Sequence, residues 1–312
     1  MSPTGRTRIY FILGDPIAQV RAPEIYNPLF EAHGVDALLV PVQVRPDDVV
    51  AFAQAALRAG NVDGLWLTIP HKSALLETLY SCDEQGRLAG AVNAVRRDAE
   101  GRLHGALFDG TGLIQALRGF GLRLAGRRVL LLGAGGAGQA IAAALLLDRQ
   151  ESAIAEIAIV DAQPGRAVQA VARFEASKVQ ASTGAASVRL STPDRPDPAG
   201  YDLIINATPL GLNAGDALPV DVTRIDAGAV VVDILMKQAD TALVRACRQR
   251  GIAAWPGHEM LTCQVGDYLR FFGHDALADV VDADLDCVRA LFGPAPQRER
   301  SAAPALFHPE PC

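Results

Sequence analysis

Hydrophobic positions along the chain fall into short apolar runs that alternate with longer segments of helical periodicity. In the N-terminal part this pattern predicts strands at 8–13, 38–44 and 64–69 and helices at 22–33, 46–59 and from about 73. Two further apolar runs, 92–97 and 103–108, flank Asp98-Ala99-Glu100-Gly101, which predicts a hairpin. The alternation of strand and helix is typical of an α/β domain.

A second alternating series follows Gly119. It predicts strands at 129–132, 157–160, 187–190, 202–206 and 229–233, with helices at 137–149 and 165–175. Such alternation implies a parallel, doubly wound sheet. After Trp255-Pro256-Gly257 the pattern predicts two more helices, at 258–272 and 275–291. Too few strands remain to build another sheet, so we expect these helices to pack on the first domain. We expect the proline-rich residues 293–312 to form a disordered tail.

A glycine-rich loop joins the first strand of the second series to its helix. The segment reads Gly133-Ala134-Gly135-Gly136-Ala137-Gly138, which is the dinucleotide-binding fingerprint in its expected place between a strand and a helix. Gly133 permits the tight turn, Gly135 lets the backbone approach a pyrophosphate, and Gly138 lets the helix pack closely on the strand. A membrane span over 129–147 is the alternative, but glycines at its centre disfavour it.

Residues at the ends of later strands bear on which dinucleotide is bound. Asp161 follows the strand at 157–160, where a carboxylate binds ribose hydroxyls and disfavours a 2′-phosphate, so it predicts NAD. Arg166 lies nearby and can accept that phosphate, which keeps NADP open. We also assign Asn206-Ala207-Thr208, at a further strand end, and Gly257 to the cofactor site.

Two charged residues follow strands of the first series. Lys72 comes after Thr68-Ile69-Pro70-His71, and Asp109 comes after the run at 103–108. A lysine and an aspartate that meet at one alcohol can manage its proton while hydride moves to nicotinamide, although each alone is also explained as a surface charge. Asn93 interrupts an apolar run, so its amide needs partners, from the protein or from a ligand.

Composition and charge exclude several other functions. The formal net charge of −6 gives no electrostatic case for binding nucleic acid or an anionic membrane. The N-terminus lacks a signal-peptide pattern. The 5 cysteines are scattered and the 6 histidines show no metal-ligand spacing, so we expect neither a disulfide framework nor a metal site. We expect a cytoplasmic protein, either a monomer or a homodimer, that acts on a small molecule.

Taken together, the motifs resemble the shikimate dehydrogenase family over residues 9–285. Their order carries the resemblance: Gly14-Asp15-Pro16-Ile17, Thr68-Ile69-Pro70-His71-Lys72, Gly90-Ala91-Val92-Asn93, Asp109-Gly110, the glycine fingerprint, Asn206-Ala207-Thr208-Pro209-Leu210-Gly211, and Gly257 with Met260-Leu261 and Gln264. The resemblance implies an N-terminal α/β substrate domain at 1–110, a Rossmann NAD(P)-binding domain at 111–254, and C-terminal helices at 255–292 that return to the first domain. The active site would lie in the cleft between the domains.

The resemblance also implies roles for individual residues. Lys72 and Asp109 match the family's catalytic pair. Thr68, Asn93 and Gln264 match positions that hold the substrate ring and its substituents.

Several positions depart from the family pattern. The Ser-x-Ser-Pro whose hydroxyls bind the shikimate carboxylate is Val20-Arg21-Ala22-Pro23 here, so both hydroxyls are absent. An asparagine is replaced by Trp66, the Asn-Thr before the catalytic aspartate by Leu107-Phe108, and a tyrosine of the nucleotide domain by Met236. The NADP-binding Asn-Arg-Thr is Asp161-Ala162-Gln163, which supports NAD. We therefore expect an altered substrate site that includes Val20, Arg21, Ala22, Trp66 and Met236.

These observations predict an NAD(P)-dependent dehydrogenase that transfers hydride between nicotinamide and a ring hydroxyl or ketone of a cyclic polyol or hydroxy acid. Because polar recognition groups are missing, we expect its substrate to differ from shikimate. The main alternative is a genuine shikimate or quinate dehydrogenase in which Arg21 binds the carboxylate. A non-catalytic ligand sensor and a folate-linked dehydrogenase are weaker alternatives.

Overall fold

The structure, a computed structural model, describes residues 2–148, 154–177, 188–213, 215–236 and 240–292. These residues form two six-stranded sheets with accompanying helices. No helix within the described ranges is long and apolar enough to cross a membrane. The predicted tail at 293–312 lies outside the described residues.

The N-terminal strands make a mixed sheet. They are β1 (Arg8–Gly14), β2 (Ala37–Gln43), β3 (Val62–Leu67), β4 (Ser81–Cys82), β5 (Ala94–Arg97) and β6 (Leu103–Ala106). Three helices accompany them: α1 (Ala22–Ala32), α2 (Val49–Ala56) and α3 (Glu84–Ala89). The strand order is β2-β1-β3-β5-β6-β4, with β1 parallel to both of its neighbours. The antiparallel pair β5 and β6 confirms the predicted hairpin.

The helix predicted from about 73 is wrong. Two short 3-10 turns, His71–Ser73 and Leu76–Thr78, replace it. The carbonyl oxygen of Lys72 accepts a hydrogen bond from the Val92 amide at 2.7 Å, so it does not serve a helical amide four residues further on. This tertiary bond overrides the local helical pattern and holds the Lys72 backbone against the segment that leads to β5.

Two other helix predictions need correction. α2 begins at Val49 rather than at 46, because the residues before it form a turn closed by the Asp48 amide on the Arg45 carbonyl. α3 was missed, although Asp83 accepts a hydrogen bond from the Gly86 amide and so caps it.

The second sheet is entirely parallel, as predicted. Its strands are β7 (Arg128–Leu132), β8 (Glu156–Val160), β9 (Arg189–Ser191), β10 (Leu203–Asn206), β11 (Val230–Asp233) and β12 (Ala253–Pro256), in the order β12-β11-β10-β7-β8-β9. The helices α5 (Gly136–Leu147), α6 (Pro164–Ala176) and α7 (Ala242–Gln249) join them. The order reverses between β7 and β10, which is where ligands bind in open α/β sheets.

β12 was not predicted, and it carries the sheet past the expected domain boundary at 254. It is short, and it ends in Pro256, which lacks an amide hydrogen. A short segment that ends in proline gives only a weak signal for a strand. Proline is tolerated in an edge strand, and β12 lies at the edge of the sheet.

Helices then connect the two sheets. α4 (Asp109–Gly119) leads from the first to the second, and α8 (His258–Cys263), α9 (Val265–Phe271), α10 (Asp275–Ala283) and α11 (Asp286–Arg289) return. The predicted helix at 258–272 is divided at Gln264, and the one at 275–291 is divided at Asp284. α9 and α10 contribute Val265, Leu269 and Val281 to the core of the first domain, which confirms the predicted return.

Glycines let these helices approach one another closely. A Cβ on Gly110 would lie 2.2 Å from the Ala140 carbonyl oxygen, so α4 packs directly on α5. A Cβ on Gly112 would lie 2.5 Å from the Met260 carbonyl oxygen, so α4 also packs on α8. The start of α4 is therefore held between the two domains.

Asp267 on α9 is an acidic residue among these packed helices. Its Oδ2 atom is buried and accepts no hydrogen bond within the part of the chain that is described. Burial and the charge of Asp282 raise the pKa of the Asp267 carboxyl to about 6, against the lowering effect of Arg270. Because the folded protein disfavours the ionised form, this carboxylate costs stability above its ordinary pKa, and the cost grows until pH passes about 6.

We predict that Asp267→Asn stabilises the protein near neutral pH by about 1–3 kcal/mol. The gain over wild type should increase from pH 4 to about 6 and then stay constant. Chemical denaturation of both proteins across this range measures it. A gain that is independent of pH would contradict the assignment.

Candidate active site

Lys72 and Asp109 meet between the two sheets. Lys72 lies in the turn after β3, and Asp109 is the first residue of α4. The Lys72 ammonium donates a hydrogen bond to Asp109 Oδ2, and the side chains are only 13% and 8% exposed. The structure thus brings together the two residues that the sequence analysis paired. A buried lysine and carboxylate in contact can exchange and orient a proton.

The glycine loop lies directly beside this pair. A Cβ on Gly136, at the start of α5, would lie 3.3 Å from the side chain of Lys72. Gly133 has a positive φ of 98°, and a Cβ there would lie 2.7 Å from the Ala207 carbonyl oxygen. The predicted loop at the end of β10 therefore packs on the fingerprint. The glycine loop and the Lys72–Asp109 pair therefore lie side by side.

The other two glycines of the fingerprint have different surroundings. A Cβ on Gly138 would lie 1.9 Å from the Gly133 carbonyl oxygen, so this position requires glycine for the turn to close on α5. A Cβ on Gly135 would meet no protein atom within 4 Å. The open space at Gly135 fits a backbone that receives a pyrophosphate.

Two buried polar atoms near the pair have no partner among the described residues: Asn93 Nδ2 and Gln264 Oε1. Asn93 Oδ1 accepts from the Phe108 amide at 3.1 Å, next to Asp109. Gln264 lies against α4, since a Cβ on Gly112 would be 3.0 Å from its Cβ. Buried polar groups are nearly always paired, so this donor and this acceptor are available to a polar ligand. Thr68 lies at the end of β3, partly exposed, with its amide bonded to the Leu13 carbonyl.

Tyr268 was not identified from the sequence. Its hydroxyl donates to the Asn93 carbonyl at 3.3 Å. Burial, followed by the negative charge of Asp109, raises its pKa well above the ordinary value. The available signal was its position four residues after Gln264, which places both on one face of a helical segment.

An aromatic cluster forms the wall behind Asn93. Trp66 stacks on Phe272 at 4.2 Å between ring centroids and on Tyr268 at 5.4 Å, and Phe108 meets Tyr268 edge to face at 4.9 Å. Trp66 is only 3% exposed and belongs to the hydrophobic core of the first domain. Its expected place in the substrate site stays a prediction. Val20 and Ala22, partly buried, pack against the larger hydrophobic core that contains Trp66 and Tyr268.

Arg21 lies between these apolar neighbours at the start of α1. Its Nε donates to Glu24 at 2.6 Å. Burial, and then the positive charge of Arg21, lower the pKa of His258, whose ring also bonds the Met236 backbone. Arg21, His258 and Met236 therefore gather at one side of the cleft, where α8 begins. Gly257 fits closely there, because its Cβ would lie 2.5 Å from Ile234 Cα.

Asp161 is bound to the glycine loop itself. Its carboxylate accepts from the Ala134 amide at 2.7 Å and from the Gln163 amide at 2.8 Å. It thus orders the fingerprint, and its remaining lone pairs are those a ribose would use. Arg166 is exposed in the first turn of α6, five residues after Asp161. The two residues that argued for different cofactors are both at this edge.

Asn206 has a structural part in the site. Its fully buried side chain donates to Asp233 at 2.9 Å and accepts from the Thr208 hydroxyl at 2.6 Å. These bonds hold the loop after β10, so Ala207, rather than the Asn206 side chain, touches the fingerprint. No cluster of three or more potential metal ligands occurs in the described ranges.

We predict that Gly135→Ala and Gly138→Ala separate binding from folding. Gly138→Ala forces a clash and should destabilise the protein by about 1–3 kcal/mol. Gly135→Ala should leave thermal stability close to wild type but weaken NADH or NADPH binding by roughly tenfold or more, because its methyl group occupies the pyrophosphate approach. Thermal unfolding and cofactor fluorescence titration measure the two effects. Undiminished cofactor binding by folded Gly135→Ala would contradict this role.

Comparisons with known proteins agree with this geometry. The sequence model of the shikimate dehydrogenase substrate binding domain matches residues 12–95. The chain is 35% identical over 265 residues to shikimate dehydrogenase (NADP(+)) of Rubrobacter xylanophilus, covering 83% of this chain and 88% of the relative. It is 33% identical over 288 residues to shikimate dehydrogenase (NADP(+)) of Acidiphilium cryptum, covering 90% and 98%.

A solved structure shares the whole architecture. The ligand-free form of 5-ketofructose reductase of Gluconobacter sp. strain CHM43 superposes with a TM-score of 0.73 at 26% identity, covering 90% of this chain and 99% of that one. These identities extend across both sheets and the returning helices. The chain belongs to the shikimate dehydrogenase family of NAD(P)-dependent oxidoreductases.

Proposed function

We propose that this protein catalyses reversible hydride transfer between a nicotinamide cofactor and a ring hydroxyl or ketone of a small, shikimate-like substrate, in the cleft between its two domains. The observation that carries the proposal is the buried Lys72–Asp109 pair against Gly136 of the fingerprint. The family membership and the unpaired amide atoms of Asn93 and Gln264 support it.

Each of these residues has a chemical task in the proposal. When bound, the nicotinamide supplies or accepts the hydride. In the reductive direction the Lys72 ammonium gives a proton to the ketone oxygen while hydride adds to the ketone carbon. In the oxidative direction the neutral Lys72 amine takes the hydroxyl proton and becomes the ammonium. Asp109 accepts a hydrogen bond from Nζ, so it orients the amine toward the substrate. Asn93 Nδ2 donates to a ring oxygen, and Gln264 Oε1 accepts from a ring hydroxyl.

NAD and NADP would interact differently with Asp161. Its carboxylate would repel a 2′-phosphate, which favours NAD, whereas the relatives' names specify NADP(+) and exposed Arg166 could contact that phosphate. We propose NAD(P) dependence, with NAD as the choice that Asp161 favours. Separate titrations with NADH and NADPH distinguish them, and tighter binding of NADPH would reject an NAD preference.

Shikimate or quinate is the first candidate substrate. The named activity of the relatives supports it. Arg21, adjacent to Val20 and Ala22, would then contact the carboxylate in place of the missing hydroxyls, by a charge-assisted hydrogen bond. Its proximity to His258 adds a second nitrogen-bearing group at this side of the cleft.

A neutral cyclic polyol or ketone is the second candidate. Two observations favour it: Val20, Ala22 and Phe108 pack on the hydrophobic core that contains Trp66 and Tyr268, and Arg21 pairs with Glu24. Losing two hydrogen bonds to a charged group would weaken shikimate binding by roughly two to four orders of magnitude. The structural similarity to a 5-ketofructose reductase is consistent with this candidate.

We predict that two variants separate these candidates. If Arg21 binds a carboxylate, Arg21→Met should lower kcat/KM on shikimate by roughly tenfold or more, while Val20→Ser/Ala22→Ser should have little effect. If the substrate is neutral, wild type should turn over shikimate poorly and Val20→Ser/Ala22→Ser should improve it. Nicotinamide absorbance with shikimate, quinate and cyclic polyols gives the rates.

We predict that Lys72→Met lowers kcat by about 10²–10⁴-fold, because the hydroxyl loses its proton acceptor. Asp109→Asn should also lower kcat, and the double variant should be little worse than either single one, since the two act as a unit. Cofactor affinity should stay within about threefold of wild type, and exposed Arg58→Met serves as the control. Unchanged turnover by Lys72→Met would reject the proposed mechanism and favour a ligand sensor.

A further inference from the structure

Arg173 on α6 bridges the two domains at the rim of their interface. Its Nη1 atom donates to the Ala89 carbonyl, at the end of α3, at 2.7 Å and to Gln139 Oε1, on α5, at 2.6 Å. Gly90 follows Ala89 in the left-handed region, and a Cβ there would lie 2.6 Å from Arg173 Nη1. The guanidinium therefore fits directly on the turn that ends α3.

On the cofactor side, this bridge reaches the fingerprint. Gln139 Nε2 donates to the Ala134 carbonyl at 2.8 Å. The amide of Ala134 in turn donates to Asp161. A single chain of hydrogen bonds thus runs from Arg173 to the loop whose backbone would receive the pyrophosphate.

On the substrate side, the same bridge reaches the proton-transfer pair. The segment that begins at Gly90 leads within three residues to Asn93, whose side chain supports the Phe108 amide. Within it, the Val92 amide donates to the Lys72 carbonyl at 2.7 Å. Displacement of this segment would move both Asn93 and the backbone of Lys72.

We propose that Arg173 is a positioning residue that couples the glycine loop to the segment 89–93, so that cofactor binding orders the substrate side of the cleft. The role proposed for Arg173 requires no contact with either ligand. It acts through Gln139 on one side and through the Ala89 carbonyl on the other. Since the coupling starts from a bound cofactor, the inference depends on the proposed function.

Hydrogen exchange tests the coupling without knowledge of the substrate. We would measure amide exchange in peptides covering 86–95 and 129–145, with and without NADH or NADPH. In wild type, the cofactor should slow exchange in both peptides, by about tenfold in 86–95. In Arg173→Met, 129–145 should remain protected, whereas the change in 86–95 should fall below about twofold.

Further variants separate coupling from general damage. Gln139→Leu breaks the bridge at its other end and should reproduce the loss in 86–95. Arg173→Lys keeps a donor and should restore part of it, and exposed Arg58→Met is the matched control. Equal protection of 86–95 in wild type, Arg173→Met and Gln139→Leu would overturn the inference. Absence of protection at 129–145 in wild type with either cofactor would reject the proposed function, and the inference with it.

Discussion

The ion pair between Lys72 and Asp109 imposes the main constraint on this structure. The two charges come from different elements and are both largely withdrawn from water. A buried charge without its partner is costly, so the turn after β3 and the first residue of α4 must be held in register. The Val92 bond to the Lys72 carbonyl and the close packing of Gly110 on α5 supply that register. The backbone arrangement of the cleft follows from these contacts.

Small residues set the relation between the cofactor half and the substrate half. Gly110, Gly112 and Gly136 each lie where a side chain would collide with, or crowd, the neighbouring element. The glycine loop can therefore lie against the side chain of Lys72. Val20 and Phe108 pack against the hydrophobic core that contains Trp66 and Tyr268.

Much of this arrangement was accessible from the sequence. Hydrophobic periodicity and the positions of turn residues predicted both sheets, the hairpin and the returning helices. The ordered motifs predicted the pairing of Lys72 with Asp109. The missing pieces depend on tertiary contacts that no local pattern encodes. The turn at 71–73 arises because the Val92 amide donates a hydrogen bond to the Lys72 carbonyl. β12 is held by its pairing with β11. The fold brings the Tyr268 hydroxyl to the Asn93 carbonyl, a contact that the sequence pattern does not show. Trp66, which stacks on Tyr268, is buried in the core.

Chemical rescue would show directly whether the amine of Lys72 exchanges a proton with the reacting alcohol. Lys72→Ala would be assayed by nicotinamide absorbance with the ring alcohol that wild type oxidises, in the presence of increasing ethylamine. The rate of Lys72→Ala should rise with amine concentration, while the rates of wild type and Asp109→Asn should not respond. Turnover by Lys72→Ala at the wild-type rate without added amine would contradict it.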